Sequence, residues 1–156
     1  MADVEATYAD PGALLKLYVH QPESASMNSW RARNRGALAV THHGRAEIVN
    51  GICLAAFRRA ITTQAMNDAL ASFDEDFAEG RYVQADLLWR AALQRAADLS
   101  RRHTPVLGCR TLDVLHVASA LGLGLRRFLT FDLRQRQLAR AAGLRAVVLP
   151  KTGSTA

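Results

Sequence analysis

Phe128 to Leu149, FLTFDLRQRQLARAAGLRAVVL, reads as strand, helix and strand in immediate succession. The run from Arg127 to Thr130 is of strand type, and Asp132 follows it as the N-cap of a helix over Leu133 to Ala142. Gln135, three residues on, completes an Asp-containing analogue of the capping box, in which the third residue reaches back to the cap's own backbone N–H. Gly143 ends the helix, and Leu144 to Leu149 forms the last strand. Strands that alternate with helices in this way form a parallel sheet with helices on both faces.

The rest of the chain repeats that alternation. A first strand over Val4 to Ala9 ends at Asp10-Pro11, a carboxylate cap followed by proline at the first helical position, and a short helix runs through Tyr18. Glu23 to Arg35 forms a second helix that Gly36 stops, and Ala37 to Val40 is a brief strand. A third helix starts near His43, with Ile48, Ile52, Ala55 and Ala56 on one apolar stripe and Glu47 at its border. Helices follow over Thr63 to Glu79, expected to bury Met66, Leu70, Phe73 and Phe77, and over Asp86 to Arg102, expected to bury Leu88, Ala92 and Leu99. Pro105 to Gly108 reads as a break. Thr111 then caps TLDVLHVASAL, a helix apolar almost all round and so expected at the centre. The fold class is α/β, a three-layer α/β/α arrangement with a central parallel sheet. It makes one domain over residues 1–150, followed by a disordered tail, KTGSTA, over residues 151–156.

Composition agrees with such a domain and narrows its partners. The 156 residues are 49% hydrophobic, enough for a core without staples. Cys53 and Cys109 match neither a zinc spacing nor a disulfide framework and read as small buried residues in a reducing compartment. The first twenty residues carry acids where a secretion signal needs cations, and no apolar run is long enough to span a membrane. A soluble, cytoplasmic protein is expected. Twenty basic residues against fourteen acids give a net charge of +6, which favours a polyanionic partner. Most of the basic residues are arginine, suited to bidentate phosphate contact, although an arginine- and alanine-rich composition also arises from GC-rich coding.

Four acids need more than a local explanation. Singly, Asp10 and Asp132 are good caps, and Asp113 sits in a first helical turn where the helix dipole favours negative charge. Together they form a pattern. Asp10 and Asp132 each follow the carboxyl end of a strand, and Glu47 lies in the helix after another. In a parallel sheet those ends share one edge, where open α/β sheets bind ligands. Asp113 joins them from a buried helix that offers its carboxylate no easy path to water. Carboxylates gathered in this way repel one another unless a cation lies between them, and an oxygen-only donor set selects a hard ion, Mg²⁺ or Mn²⁺, over zinc. Such sites act on phosphates.

TYADPGALLKLY (residues 7–18), THHGRAEIVNGI (41–52), RTLDVLHVASAL (110–121) and the stretch quoted first resemble, in order and spacing, the motifs of PIN-domain nucleases. The likeness spans about residues 5 to 149 and is greatest to the VapC-like toxins of bacterial toxin-antitoxin pairs. The resemblance implies a metal site at Asp10, Glu47, Asp113 and Asp132, and cleavage of a structured RNA within the chain. It also implies an antitoxin whose C-terminal segment blocks the acids, and a homodimer. Asp10, Asp113 and Asp132 would bind the metal and Glu47 would orient the attacking water. Arg45, Arg110 and Arg134, close to these motifs, are candidates for phosphate contact and equally for solvated surface. Arg110 and His116, flanking Asp113, also fit the family. One departure stands out: the family usually places a hydroxyl residue two positions after the first acid, where this chain has Gly12. Two rival readings remain, a degenerate PIN domain that binds without cutting, and a phosphatase with an aspartyl nucleophile. The second would require an Asp at position 12.

Overall fold

The computed structural model describes residues 5–150. The expected start of the first strand at Val4 and the tail 151–156 lie outside them. The elements in chain order are β1 (Thr7–Ala9), α1 (Pro11–Leu15), α2 (Ser24–Arg33), β2 (Leu38–Thr41), α3 (His42–Phe57) and α4 (Thr63–Ala78). They continue with β3 (Tyr82–Ala85), α5 (Trp89–Leu107), α6 (Thr111–Gly122), β4 (Arg127–Leu129), α7 (Leu133–Ala141) and β5 (Arg145–Val147). Among the described residues the chain divides into two compact units. One holds residues 5, 11–84 and 149–150; the other holds 6–10 and 85–148.

The second unit contains the expected parallel sheet, in the order β1-β4-β5. Thr7 pairs with Arg127 and Ala9 with Leu129, while Arg127 pairs with Arg145 and Leu129 with Val147. The Asp10 N–H donates to the Leu129 carbonyl (2.9 Å), extending the ladder by one residue beyond β1. Phe128 and Leu129 are fully buried, as are Val117, Ala118 and Ala120 of α6 and Leu138 and Ala139 of α7. The Tyr8 ring stacks on Phe128 with centroids 5.4 Å apart. The Tyr8 hydroxyl meets His116 Nδ1 at 2.6 Å, so the histidine next to the acid motif is a satisfied core residue with a polar partner.

Three local expectations for this unit are corrected. The break at Pro105 does not occur, and α5 continues to Leu107 with the proline inside it. Proline there forfeits the N–H bond to the Arg101 carbonyl and its ring crowds that carbonyl, yet the helix continues for two more residues. The stop is Gly108, which takes a left-handed φ of 66° and donates its N–H to the Thr104 carbonyl (2.8 Å). Leu88, expected in the core, is the N-cap of α5 and is 84% exposed, whereas Ala92 and Leu99 are buried as expected. Arg110, not Thr111, is the N-cap of α6.

The first unit is mainly helical, and its two strands, β2 and β3, pair with each other in a separate ladder. β2 is therefore assigned to a different ladder from β1-β4-β5, not to the one parallel sheet that the sequence suggests. β3 had no counterpart in the sequence reading; its four residues are too few for an alternation to stand out. Thr41 and Thr62 cap α3 and α4 by accepting from Gly44 N (3.0 Å) and Ala65 N (3.1 Å). Phe73 is fully buried among Tyr18, Phe77 and Tyr82, while Met66, Leu70 and Phe77 are only partly covered. Cys53 is half-buried and Cys109 buried, and both are free thiols.

In the first unit a cleft of about 530 Å³ is lined by Tyr18, Arg31, Asp76, Arg81 and Tyr82, among others. The Tyr18 hydroxyl bonds to Asp76 and lies 2.7 Å from that of Tyr82. Burial pushes the Tyr82 phenol up to about 12. Tyr18 is also raised, by burial first, then by Tyr82 and Asp76. Both phenols bind their protons more tightly in the folded chain than in the unfolded one. The stability that Tyr82 contributes is complete below about pH 10, the ordinary phenol value, and is lost as the pH climbs through about 12. In urea titrations across that window, Tyr82→Phe is expected to lose less stability than the wild type; equal losses would remove Tyr82 as a source.

Candidate active site

Asp10, Asp113 and Asp132 all belong to the second unit. Asp132 caps α7, its Oδ1 accepting from Gln135 N at 2.9 Å. The reciprocal half of the capping box is absent: the Asp132 N–H donates to Thr130 Oγ1 (3.1 Å), leaving the Gln135 side chain to turn elsewhere. Its Nε2 donates to Asp10 Oδ1 (2.8 Å) and to the Asp113 carbonyl (3.3 Å), while its Oε1 accepts from Thr130 Oγ1 (2.6 Å). Gln135 is 1% exposed, so this amide is a structural part of the site. The sequence reading assigned it only the capping role. One signal was available, since Gln135 lies on the same face of α7 as the buried Leu138 and Ala139.

Asp113, in the first turn of α6, has a side chain 19% exposed and accepts on Oδ2 from Arg110 Nε at 3.2 Å. Arg110 is 83% exposed, so its attraction for Asp113 is weakened by water. Asp113 and Asp132 line one cleft of about 400 Å³, together with Gly108, Cys109, Arg110, Leu133 and Arg134. The charges in this cleft act on its other groups. The Cys109 thiol is pushed up by burial, then by Asp113 and Asp132, with Arg134 opposing. The Arg110 guanidinium is raised chiefly by its hydrogen bond and charge contact with Asp113, with smaller contributions from Asp132 and Asp10. A thiol kept protonated in this way is a poor soft-metal ligand.

Glu47 is half-buried on α3 in the first unit. Arg45, two residues before it, pairs with Asp74 (3.4 Å) and stands over the Phe77 ring, 4.3 Å from its centroid. Arg134 is exposed at the rim of the acidic cleft. Among the described residues no three His, Cys, Asp or Glu side chains stand close enough to hold a metal ion without moving. The donors nevertheless fit a hard divalent cation in kind, being carboxylates only, with two lining one cleft.

A family model described as PIN domain matches residues 8–141. Ribonuclease VapC46 from Mycobacterium tuberculosis is 32% identical over 147 residues, covering 93% of this chain and 98% of that protein. The solved structure of FitAcB from Neisseria gonorrhoeae matches 91% of this chain and 96% of its own, with a TM-score of 0.64 at 15% identity. That of PAE2754 from Pyrobaculum aerophilum matches 92% and 90%, with a TM-score of 0.54 at 17% identity. At those identities the two structures bear on the fold.

Proposed function

This chain belongs to the PIN domain family, and on that premise we propose that it is a metal-dependent endoribonuclease, the toxin of a toxin-antitoxin pair. The observation that carries this reading is the placement of Asp113 and Asp132 in one cleft, with Asp10 joined to the same helix start through Gln135. The likeness to a protein named as a ribonuclease, over nearly the whole of both chains, supplies the class of substrate.

Asp10 and Asp113 are the direct ligands of a divalent cation in this reading, Asp132 a ligand directly or through water, and Glu47 the group that orients the attacking water. Mg²⁺, or Mn²⁺ in its place, would polarise the scissile phosphate and offset the charge that develops on it. The protein's own part is to bring carboxylates to the phosphodiester without a histidine base, and to hold the flanking phosphates. Arg110 and Arg134, on the cleft, are suited to that contact. Arg45 is engaged with Asp74 and Phe77 and has the weaker claim. The substrate is taken to be a structured RNA, the partner an antitoxin that covers the acids, and the working form a cytoplasmic homodimer. No helix among the described residues is long and apolar enough to cross a membrane.

Gly12, standing where the family usually has a hydroxyl, favours a second reading, a PIN domain that binds RNA or protein without cutting it. Incubation of the purified chain with total RNA separates the two. Cleavage is expected with Mg²⁺ or Mn²⁺ and is expected to vanish with a chelator. Cleavage that persists in chelator would overturn the metal assignment, and binding without cleavage in either metal would favour the second reading.

A further inference from the structure

We propose that Gln135 is a positioning residue that sets the orientation of the Asp10 carboxylate for cation binding. The inference rests on the metal reading above and adds to it the device that holds the ligand. A primary amide buried to 1% exposure is costly unless its polar atoms are paired, and here they are. The network also fixes which way the amide faces. Thr130 Oγ1 accepts the Asp132 N–H, so its own proton is available to Gln135 Oε1 at 2.6 Å. Nε2 is thereby turned to Asp10 Oδ1 at 2.8 Å and to the Asp113 carbonyl at 3.3 Å. The reverse orientation would set two oxygens against each other at Asp10 and at the Asp113 carbonyl.

One residue thus reaches the carboxylates of Asp132, through its backbone N–H, and of Asp10, through its amide, and the backbone of Asp113. Its neutrality matters. An arginine or lysine in this place would orient Asp10 equally well but cancel the charge that attracts a cation. A neutral donor fixes one carboxylate oxygen while leaving the group its full charge. β1 and β4 set where the Asp10 backbone stands, and Gln135 sets where its carboxylate points. Supports of this kind around metal ligands are worth roughly 10- to 100-fold in affinity.

The test is a double-mutant cycle on the full chain, with Mn²⁺ binding read by calorimetry and metal-free stability by thermal melts. Gln135→Met, which keeps length and approximate volume, is expected to weaken Mn²⁺ binding roughly 10- to 100-fold. In an Asp10→Asn background the same change is expected to add little, because its effect passes through Asp10. A merely structural glutamine would cost the same in both backgrounds. Gln135→Glu combined with Asp10→Asn guards against misfolding, since it restores a donor facing an acceptor at unchanged net charge with the charge moved to position 135. That pair is expected to regain metal-free melting relative to Gln135→Glu alone, without regaining Mn²⁺ affinity. Equal Mn²⁺ affinity in wild type and Gln135→Met, additive losses, or full affinity in the swapped pair would each overturn the positioning role alone. A wild-type chain that takes up no Mn²⁺ would overturn the metal reading, and this role with it.

Discussion

Asp113→Asn is expected to lower RNA cleavage by about 100-fold or more, the several kcal/mol that a lost metal ligand represents, while barely changing the fold. As scaffold, Asp113 does two small things. Its charge in the first turn of α6 is worth about 0.3–1 kcal/mol with the helix dipole. Its pair with the exposed Arg110 is worth about 0–1 kcal/mol. Asparagine retains an acceptor for Arg110, so the melting temperature should fall by no more than about 5 °C, at roughly 2–4 °C per kcal/mol for a chain of this size. A cleavage assay beside a thermal melt reads both numbers. A variant that cuts at the wild-type rate and responds equally to Mg²⁺ would reduce Asp113 to a helix-start charge.

The largest effect on stability is expected from Phe128→Ala. Phe128 is fully buried at the midpoint of β4, the central strand of the parallel sheet, and its ring stacks on Tyr8. Truncation removes the transfer energy of a whole ring and leaves a void that neighbours on paired strands cannot easily fill, a cost of about 3–5 kcal/mol. Against a total near 5–15 kcal/mol, that endangers the folded state itself. Phe57, 83% exposed at the end of α3, is the control, and its alanine variant should change stability by less than about 0.5 kcal/mol. Urea melts of both variants at constant m-value measure the difference. A Phe128→Ala cost below about 1 kcal/mol would show that the site repacks and that the sheet centre is not rigid.

The sequence made visible what depends on neighbours in the chain. The strand at 127–130, the Asp132 cap, the Gly143 stop and the all-apolar α6 are short-range patterns, and each stands where they indicate. Pairings between distant residues were not visible in this way. Ala37 to Val40 reads as one more strand of the parallel sheet, yet β2 pairs with β3, because an apolar run carries no mark of its partner. Leu88 fits the helical stripe by spacing but falls on the cap, where the backbone has not begun to turn inward. Gln135 is the instructive case. Position three after an N-cap is occupied as the capping-box pattern asks, and the backbone half of the pattern forms. Its side chain instead pairs with an acid at the other end of the sequence, while Thr130 takes the vacated role. For the acids, motif order pointed to Asp10, Glu47, Asp113 and Asp132 together; three of them fall in one unit and Glu47 in the other, and the strand before Glu47 pairs with β3.

The bond between Gln135 and Asp10 joins residues 125 positions apart, and β1 finds its ladder partner in β4. On the ribosome, β1 therefore leaves the exit tunnel 120 residues ahead of the strand it pairs with, as the Thr7 and Arg127 register shows. A nascent chain halted anywhere before α7 carries Asp10 and Glu47 but lacks Asp132 and the amide that orients Asp10, and the contacts that would assemble the acids are among the slowest kind to form. A chain that stops before Asp132 is therefore expected to be inert in the cleavage assay, since it would lack both a proposed ligand and the amide that orients Asp10.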